Sequence, residues 1–219
     1  MARPRLVSPF GIALLILLGL LSLFLVQIIR LGLSDVIAQG ARYDAEHSVM
    51  IHSGMGDATQ DAIQSDFGKA LALTPNDPQL YEDLGQFYDQ RALRAESDRS
   101  ATVAFRQQSL AYYRQAARAR PTSAMAALAV ALLKIKLGER DKEFSFFLGR
   151  AFENGPWEPG VQLLSIRLGL TAWAELPDRQ RQQVRVAVDQ QLSWTQVNQR
   201  AAILDLLKEF GREDLRQQP

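Results

Sequence analysis

Two histidines, His47 and His52, stand five residues apart with Asp44, Glu46 and Asp57 nearby. Imidazole and carboxylate groups ligate divalent metals, but two ligands on one helix share a face only when three or four residues apart. A step of five turns the rings away from each other. The expectation is two solvated or interface histidines and no metal site. Acidic neighbours occur at Glu82/Asp83, Asp141/Glu143 and Glu213/Asp214. Paired carboxylates hydrolyse glycosidic bonds when they face each other across a cleft. These pairs lie on helix turns rich in arginine and read as solvated surface. Cysteine is absent, which excludes disulfides, thiolate nucleophiles and thiolate metal ligands. There is no HExxH, GxSxG or phosphate-binding glycine loop, and Gly54-Met55-Gly56 lacks the flanking strand such a fingerprint needs. No catalytic residue, cofactor or metal is expected, nor a small-molecule substrate. The chain reads as non-enzymatic.

Recognition chemistry is better represented. Arg91, Arg94, Arg99, Arg106, Arg114, Arg118 and Arg120 gather within thirty residues, offset in part by Asp89, Glu96 and Asp98. Guanidinium groups pair bidentately with carboxylates, so a basic rim could hold an acidic partner. Arg106, Arg114 and Arg118 are the candidate contacts. Arg114 and Arg118 are four apart and are expected to project together from a helix. Tyr112 and Trp157 are candidate aromatic anchors for a partner. The alternative for the arginines is a solvated face with internal ion pairs, and for Trp157 a cap over the core. Tyr113 is expected in the core.

These side chains need a framework. Residues 10–29 read FGIALLILLGLLSLFLVQII, without a charge. Twenty helical residues span about 30 Å, the thickness of a bilayer's hydrocarbon core. A single transmembrane helix is predicted. Arg3 and Arg5 before it place the N-terminus in the cytoplasm and the bulk of the chain outside, in the periplasm if the host is Gram-negative. The rival is a cleaved signal peptide with small residues at 38–40, although the apolar run exceeds the usual signal core. The formal net charge is +1, so no basic excess points to nucleic acid. Partners are expected to be the lipid bilayer and a protein in or near it.

Beyond 30 the residues favour helix, and no run alternates as a strand does. A large residue, a small one and a proline recur at fixed offsets: Phe67, Ala70, Pro75; Tyr113, Ala116, Pro121; Leu148, Ala151, Pro156. Between the first two sets lie Tyr81, Leu84, Gly85 and Tyr88, which put an apolar face beside a gap for a neighbouring helix. With Ser109, Tyr113, Ala116 and Pro121, these positions resemble the first and second helices of the tetratricopeptide repeat family. The spacing from Pro75 to Pro121 exceeds that family's unit, and the excess lies near 92–103. It predicts longer helices or a loop on one rim. The unit ending at Pro156 has Val130-Ala131 in place of leucine-glycine. An irregular helical bundle is the alternative.

The resulting expectation is an all-α chain: residues 1–30 a short flank and transmembrane helix, 31–57 a membrane-proximal connector with a bend at 52–57, 58–156 tetratricopeptide-like helix pairs, and 157–219 capping helices and tail. The stripes predicted for the last helices are Val161, Leu164 and Leu168; Val184, Val188 and Leu192; and Val197, Ala201, Leu204 and Leu207. Trp173 and Trp194 are expected to pack among them. Gly211 is a predicted helix cap, with 212–219 a frayed tail. Residues 155–181 also resemble, in overall pattern, tetratricopeptide-like membrane-anchored proteins encoded with bacterial exopolysaccharide machinery. The resemblance implies a scaffold or adaptor in an envelope complex for polysaccharide synthesis or export. The alternative is a small accessory subunit of another membrane complex, with the transmembrane helix as its principal interface.

Overall fold

The computed structural model describes residues 9–50, 57–194 and 197–216. Among the described residues there are nine α-helices, one 3₁₀ turn and no strand, so the chain is all-α. Most of the bend predicted at 52–57, including His52, and the side chain of Trp194 lie outside the described residues. The chain divides into two compact units, Met1–Asn76 and Asp77–Pro219.

The first unit is a long helix with a shorter one folded back along it: α1 (Pro9–Met50) and α2 (Asp57–Leu73). Residues 12–29 are exposed on every side. This stretch is long and apolar enough to cross a membrane. The Ser22 hydroxyl donates to the Leu18 carbonyl at 2.8 Å, which satisfies the one hydroxyl in the run without a partner helix. Past Arg30 the helix continues unbroken and acquires a buried side of Ser34, Ala38 and Ala41, while α2 buries Ile63, Phe67 and Ala70. Small residues on both helices allow close approach. The polar links run in antiparallel order. The Ser34 hydroxyl donates to the Ala70 carbonyl (2.9 Å) and meets the Thr74 hydroxyl (2.7 Å); Arg30 donates to the Leu73 carbonyl (3.0 Å). A helix end leaves carbonyls without intrahelical donors. Arg30 supplies one, so the end of α2 lies at the level where the apolar run stops.

The second unit is a succession of helices, four of them started by a side-chain cap. These are α3 (Pro78–Arg94), α4 (Arg99–Ala119), α5 (Ala124–Lys136), α6 (Lys142–Asn154), α7 (Pro159–Thr171), α8 (Asp178–Trp194) and α9 (Val197–Glu209). The carboxylates of Asp77, Asp98 and Asp141 and the hydroxyl of Ser123 accept from free N–H groups at the starts of α3, α4, α6 and α5. Pro78 and Pro159 occupy first-turn positions, where a missing N–H costs nothing. The excess residues near 92–103 lengthen α3 and α4 and leave only 95–98 as the turn.

α3 and α4 pack antiparallel. A Cβ added to Gly85 would lie 2.7 Å from the Tyr113 ring, and the Ser109 hydroxyl donates to the Gly85 carbonyl at 2.6 Å. Leu84, Tyr88, Ala92 and Ala116 are buried alongside. The positions singled out in the two helices therefore meet. α5 is apolar on nearly every side and sits within the unit, with Val130 and Leu133 packed against Leu110.

A second core joins α5 through α9. Val184 and Val188 are buried as expected, and Leu192 is half-buried. The stripe of α9 meets its expectation at Leu207 and departs from it at Ala201 and Leu204, while the Val197 side chain lies outside the described residues. Ile203, Leu206 and Leu207 are buried, whereas Ala201 is exposed and Leu204 half-exposed. Both sets satisfy helical spacing, and the core takes the one with the larger apolar residues. Gly211 has φ +62°, and its N–H and that of Arg212 donate back to Lys208 and Leu207. This left-handed closure ends α9 as predicted. The tail does not fray at once: Glu213–Arg216 form a 3₁₀ turn that buries Leu215. One leucine with a core to enter is enough to order that turn.

Candidate partner-binding surface

The arginines of α4 divide by the helix each one meets. Arg106 donates to the Lys136 carbonyl at 3.1 Å, at the C-terminal end of α5, where a cation complements the exposed carbonyls. Arg114 uses Nε and Nη2 together on the Glu143 carboxylate of α6, with Nε at 2.7 Å. That bidentate bond holds the Arg114 guanidinium above its usual pKa and Glu143 below the usual carboxylate range. Arg118, one turn further, is exposed. Arg114 is thus tied to Glu143 with a third of its side chain exposed, while Arg118 is exposed outright. Spacing fixes where side chains leave a helix, but a neighbouring acid decides where a long one ends.

Tyr112 is half-buried and stacks on Tyr88 of α3, with ring centroids 5.5 Å apart and planes 17° from parallel. Tyr88 in turn meets Phe87 edge-on. The Arg91 guanidinium lies 4.5 Å from the centre of the Phe105 ring and within 6 Å of Phe87 and Tyr88. Such placement is favourable electrostatically because a ring face is electron-rich. Burial raises the Tyr112 phenol, and raises that of Tyr113 further, so both stay neutral. The aromatic rings and Arg91 form an internal stack joining α3 to α4, with one edge of Tyr112 left accessible.

Trp157 stands apart from these groups. It lies in the turn between α6 and α7 and is 69% exposed. The turn is held against the start of α5: a Cβ on Gly155 would lie 2.7 Å from the Ala124 Cβ, and the Gln162 amide donates to the Gly155 carbonyl at 2.8 Å. An indole displayed on a fixed turn suits insertion into a partner's pocket. A pocket of 280 Å³ between α6 and α8 is lined by Phe152, Pro156 and Val186 with several glutamines.

Sequence reasoning missed Lys134. Its side chain is 2% exposed, yet Nζ donates to Glu139, Asp141 and Glu143, the last two at 2.7 and 3.1 Å. Burial alone would lower its pKa; the three carboxylates outweigh that and hold the ammonium above its ordinary value. Asp141 is held low, chiefly by the Lys134 hydrogen bond. Gly138, with φ +77°, makes this possible by turning the chain back so that three alternate acids pass the lysine. The available signal was a lysine inside an otherwise apolar run, two residues before Lys136, followed by a glycine and acids at 139, 141 and 143. Through Glu143 the group joins Arg114, so one polar chain ties α4, α5 and α6 together.

The His47 ring lies against the Tyr43 ring, centroids 3.7 Å apart and planes tilted by 31°, and its Nδ1 lies 3.1 Å from the Tyr43 carbonyl. Among the described residues no three acids and histidines are placed to hold a metal ion. Comparison with protein-family models, curated proteins and solved structures returns no match.

Proposed function

We propose that this chain is a membrane-anchored, non-enzymatic scaffold or adaptor, with its N-terminus in the cytoplasm and its helical bulk outside the membrane, in the periplasm of a Gram-negative host. The carrying observation is the unbroken course of α1. An apolar stretch able to cross a bilayer continues as the core helix of a packed hairpin, which couples the anchor rigidly to folded protein. The successive helix pairs beyond it, with tetratricopeptide-like contacts at Gly85 and Tyr113, support a protein-binding array. The exposed Trp157 and Arg118 are its candidate contacts. A complex for polysaccharide synthesis or export is the most specific assignment. Co-purification from native membranes with mass spectrometry tests it: recovery of envelope polysaccharide machinery supports the reading, and recovery only of unrelated membrane proteins removes it. Reporter fusions after Gly40 and after Pro219 test the topology.

A second reading, an accessory subunit that uses the membrane helix as its main interface, draws support from the apolar surface exposed on α1 beyond Arg30. Replacing residues 10–29 with an unrelated membrane helix separates the two. A scaffold keeps its partners; an accessory subunit loses them.

A further inference from the structure

The pocket beside Phe152 draws its walls from three helices, α6, α7 and α8. Its floor is apolar: Phe152 and Ala187 are 7% and 3% exposed. Around that floor stand the amides of Gln162, Gln182, Gln183 and Gln190 and the carboxylate of Glu153, with no lysine or arginine among the lining residues. Two of the amides are pinned by the protein. Gln162 donates its Nε2 to the Gly155 carbonyl, and Gln183 donates its Nε2 to Glu153 Oε1 at 3.2 Å. The second bond fixes the Gln183 amide with its oxygen beside Gly149, whose missing side chain leaves room for it. There the oxygen is buried and receives no donor from the described residues. The side-chain amides of Gln182 and Gln190 have no hydrogen-bond partner among the described residues either. A glutamine facing water is ordinary. Four amides around a buried phenyl group, one of them with a buried acceptor short of a donor, exceed what packing alone requires.

We infer that this pocket binds a neutral saccharide, one or two rings of a glycan. A sugar ring offers an apolar C–H face and a rim of hydroxyls, each a donor and an acceptor at once. A primary amide also carries donor and acceptor side by side, so it engages two neighbouring hydroxyls together. The Phe152 and Ala187 floor takes the C–H face, Gln182 and Gln190 meet the rim, and Gln183 Oε1 and Glu153 accept hydroxyl protons. Other ligands fail on one count each. An anion calls for a cation, and the nearby arginines of α8 are engaged elsewhere, Arg179 on Glu153 and Arg181 on the Trp173 carbonyl. A lipid chain or an apolar side chain would strip the amides of water and give them no partner. An extended peptide calls for polar groups spaced along a strand, whereas here groups from three helices converge on one floor. Small-molecule sites commonly span about 300 to 1,000 Å³, so a pocket of 280 Å³ suits a short piece of glycan rather than a cofactor. The inference extends the polysaccharide reading given above but does not depend on it, since the pocket belongs to the chain whatever its partners.

The test uses the full chain in phosphatidylcholine nanodiscs, because detergents with sugar headgroups would compete. Neutral disaccharides and trisaccharides of glucose, galactose, mannose and N-acetylglucosamine are screened by saturation-transfer NMR, with uronate-containing counterparts, short peptides and nucleosides alongside, and hits are titrated. The expected result is saturable binding of a neutral saccharide and weaker binding of its uronate counterpart, which meets the Glu153 carboxylate. The double variant Gln182→Ala, Gln190→Ala breaks no side-chain bond within the protein, so its melting temperature should hold. Its affinity should fall about tenfold, the worth of two hydrogen bonds. Gln183→Met keeps the volume and should also weaken binding, whereas Arg118→Glu on α4 should not. Binding of no saccharide, undiminished binding by the folded double variant, or preference for a peptide, a nucleoside or the acidic sugar would each overturn the inference. Binding by the purified chain is read apart from co-purification, so this inference and the polysaccharide-complex reading fail separately.

Discussion

Gly85 and Tyr113 occupy each other's space: the phenol ring of α4 lies where any larger residue of α3 would place its Cβ, 2.7 Å from the ring carbons. Gly85→Ala should therefore destabilise the protein by about 1–3 kcal/mol, well above the helical preference for alanine that opposes it. Tyr113→Leu removes the collision, so the double variant should lose less than the two single losses added together. Thermal circular-dichroism melts of the full chain in mild detergent measure the cycle. Strict additivity would mean that the ring moves aside freely.

Ala116 is fully buried between α4 and its neighbours, whereas Ala95 ends α3 at a partly exposed turn. Ala116→Leu should cost about 1–3 kcal/mol by overpacking, and Ala95→Leu a small fraction of that. Equal melting losses would place the contact elsewhere.

Lys134→Ala leaves Glu139, Asp141 and Glu143 converging on an empty stem. The carboxylates are one-third to one-half exposed, so water softens their repulsion. The expected loss is about 2–3 kcal/mol, below that for a fully buried, unpaired charge. Lys134→Met fills the volume and should recover part of it. Urea titrations of the three proteins decide.

The pH dependence follows from the same network. Asp141 and Glu143 are held low, so their contribution is complete above about pH 5 and falls away as acid protonates them through the lowered values. Lys134 is held high, so its contribution is complete at neutral pH and is lost only above the ordinary lysine range. Glu82 runs the other way: burial raises its pKa, so protonating it in mild acid adds stability. On acidification stability should therefore first gain the small Glu82 increment and then fall as Asp141 and Glu143 are protonated. Asp141→Asn should flatten the acid limb, and Glu82→Gln should remove the gain on its approach.

Charge reversal should separate the two arginines that spacing placed together. Arg118→Glu should leave the melting temperature nearly unchanged and, if a partner's acids lie there, weaken its recovery from membranes. Arg114→Glu puts a carboxylate beside Glu143 and should destabilise by about 2 kcal/mol before any partner is considered. Pull-down and melting on the same preparations distinguish these outcomes. A stable Arg114→Glu protein would show that the α4–α6 link is dispensable.

Elements were more legible than the ends of long side chains. Gly211 marked the end of α9 because backbone hydrogen-bonding needs are local, whereas the aspartate and serine caps of α3 to α6 were not read from the sequence. Small residues such as Gly85 and Ala116 marked contacts because only a neighbouring helix rewards them. The stripe of α9 was right at Leu207 and misplaced at Ala201 and Leu204 because two sets of residues share the same period. The roles of Arg106, Arg114 and Lys134 were hidden for a different reason. Each is decided by a carbonyl or carboxylate on another helix, up to thirty residues away, which periodicity does not encode. Tyr112 was legible as an aromatic of interest but not as part of the Tyr88 stack.

Leu215 lets the Glu213–Arg216 turn close one end of the core that joins α5 through α9. A stack of helix pairs grows by laying one apolar face on the next, and its last face is an adhesive end unless something blocks it. Here Leu215 tucks into that core while Arg212 lies 4.0 Å over the Trp173 ring and pairs with Asp214. The outermost surface is thereby given a charged finish. Cutting the chain at Gly211 would remove Leu215 from the core and uncover that end of it.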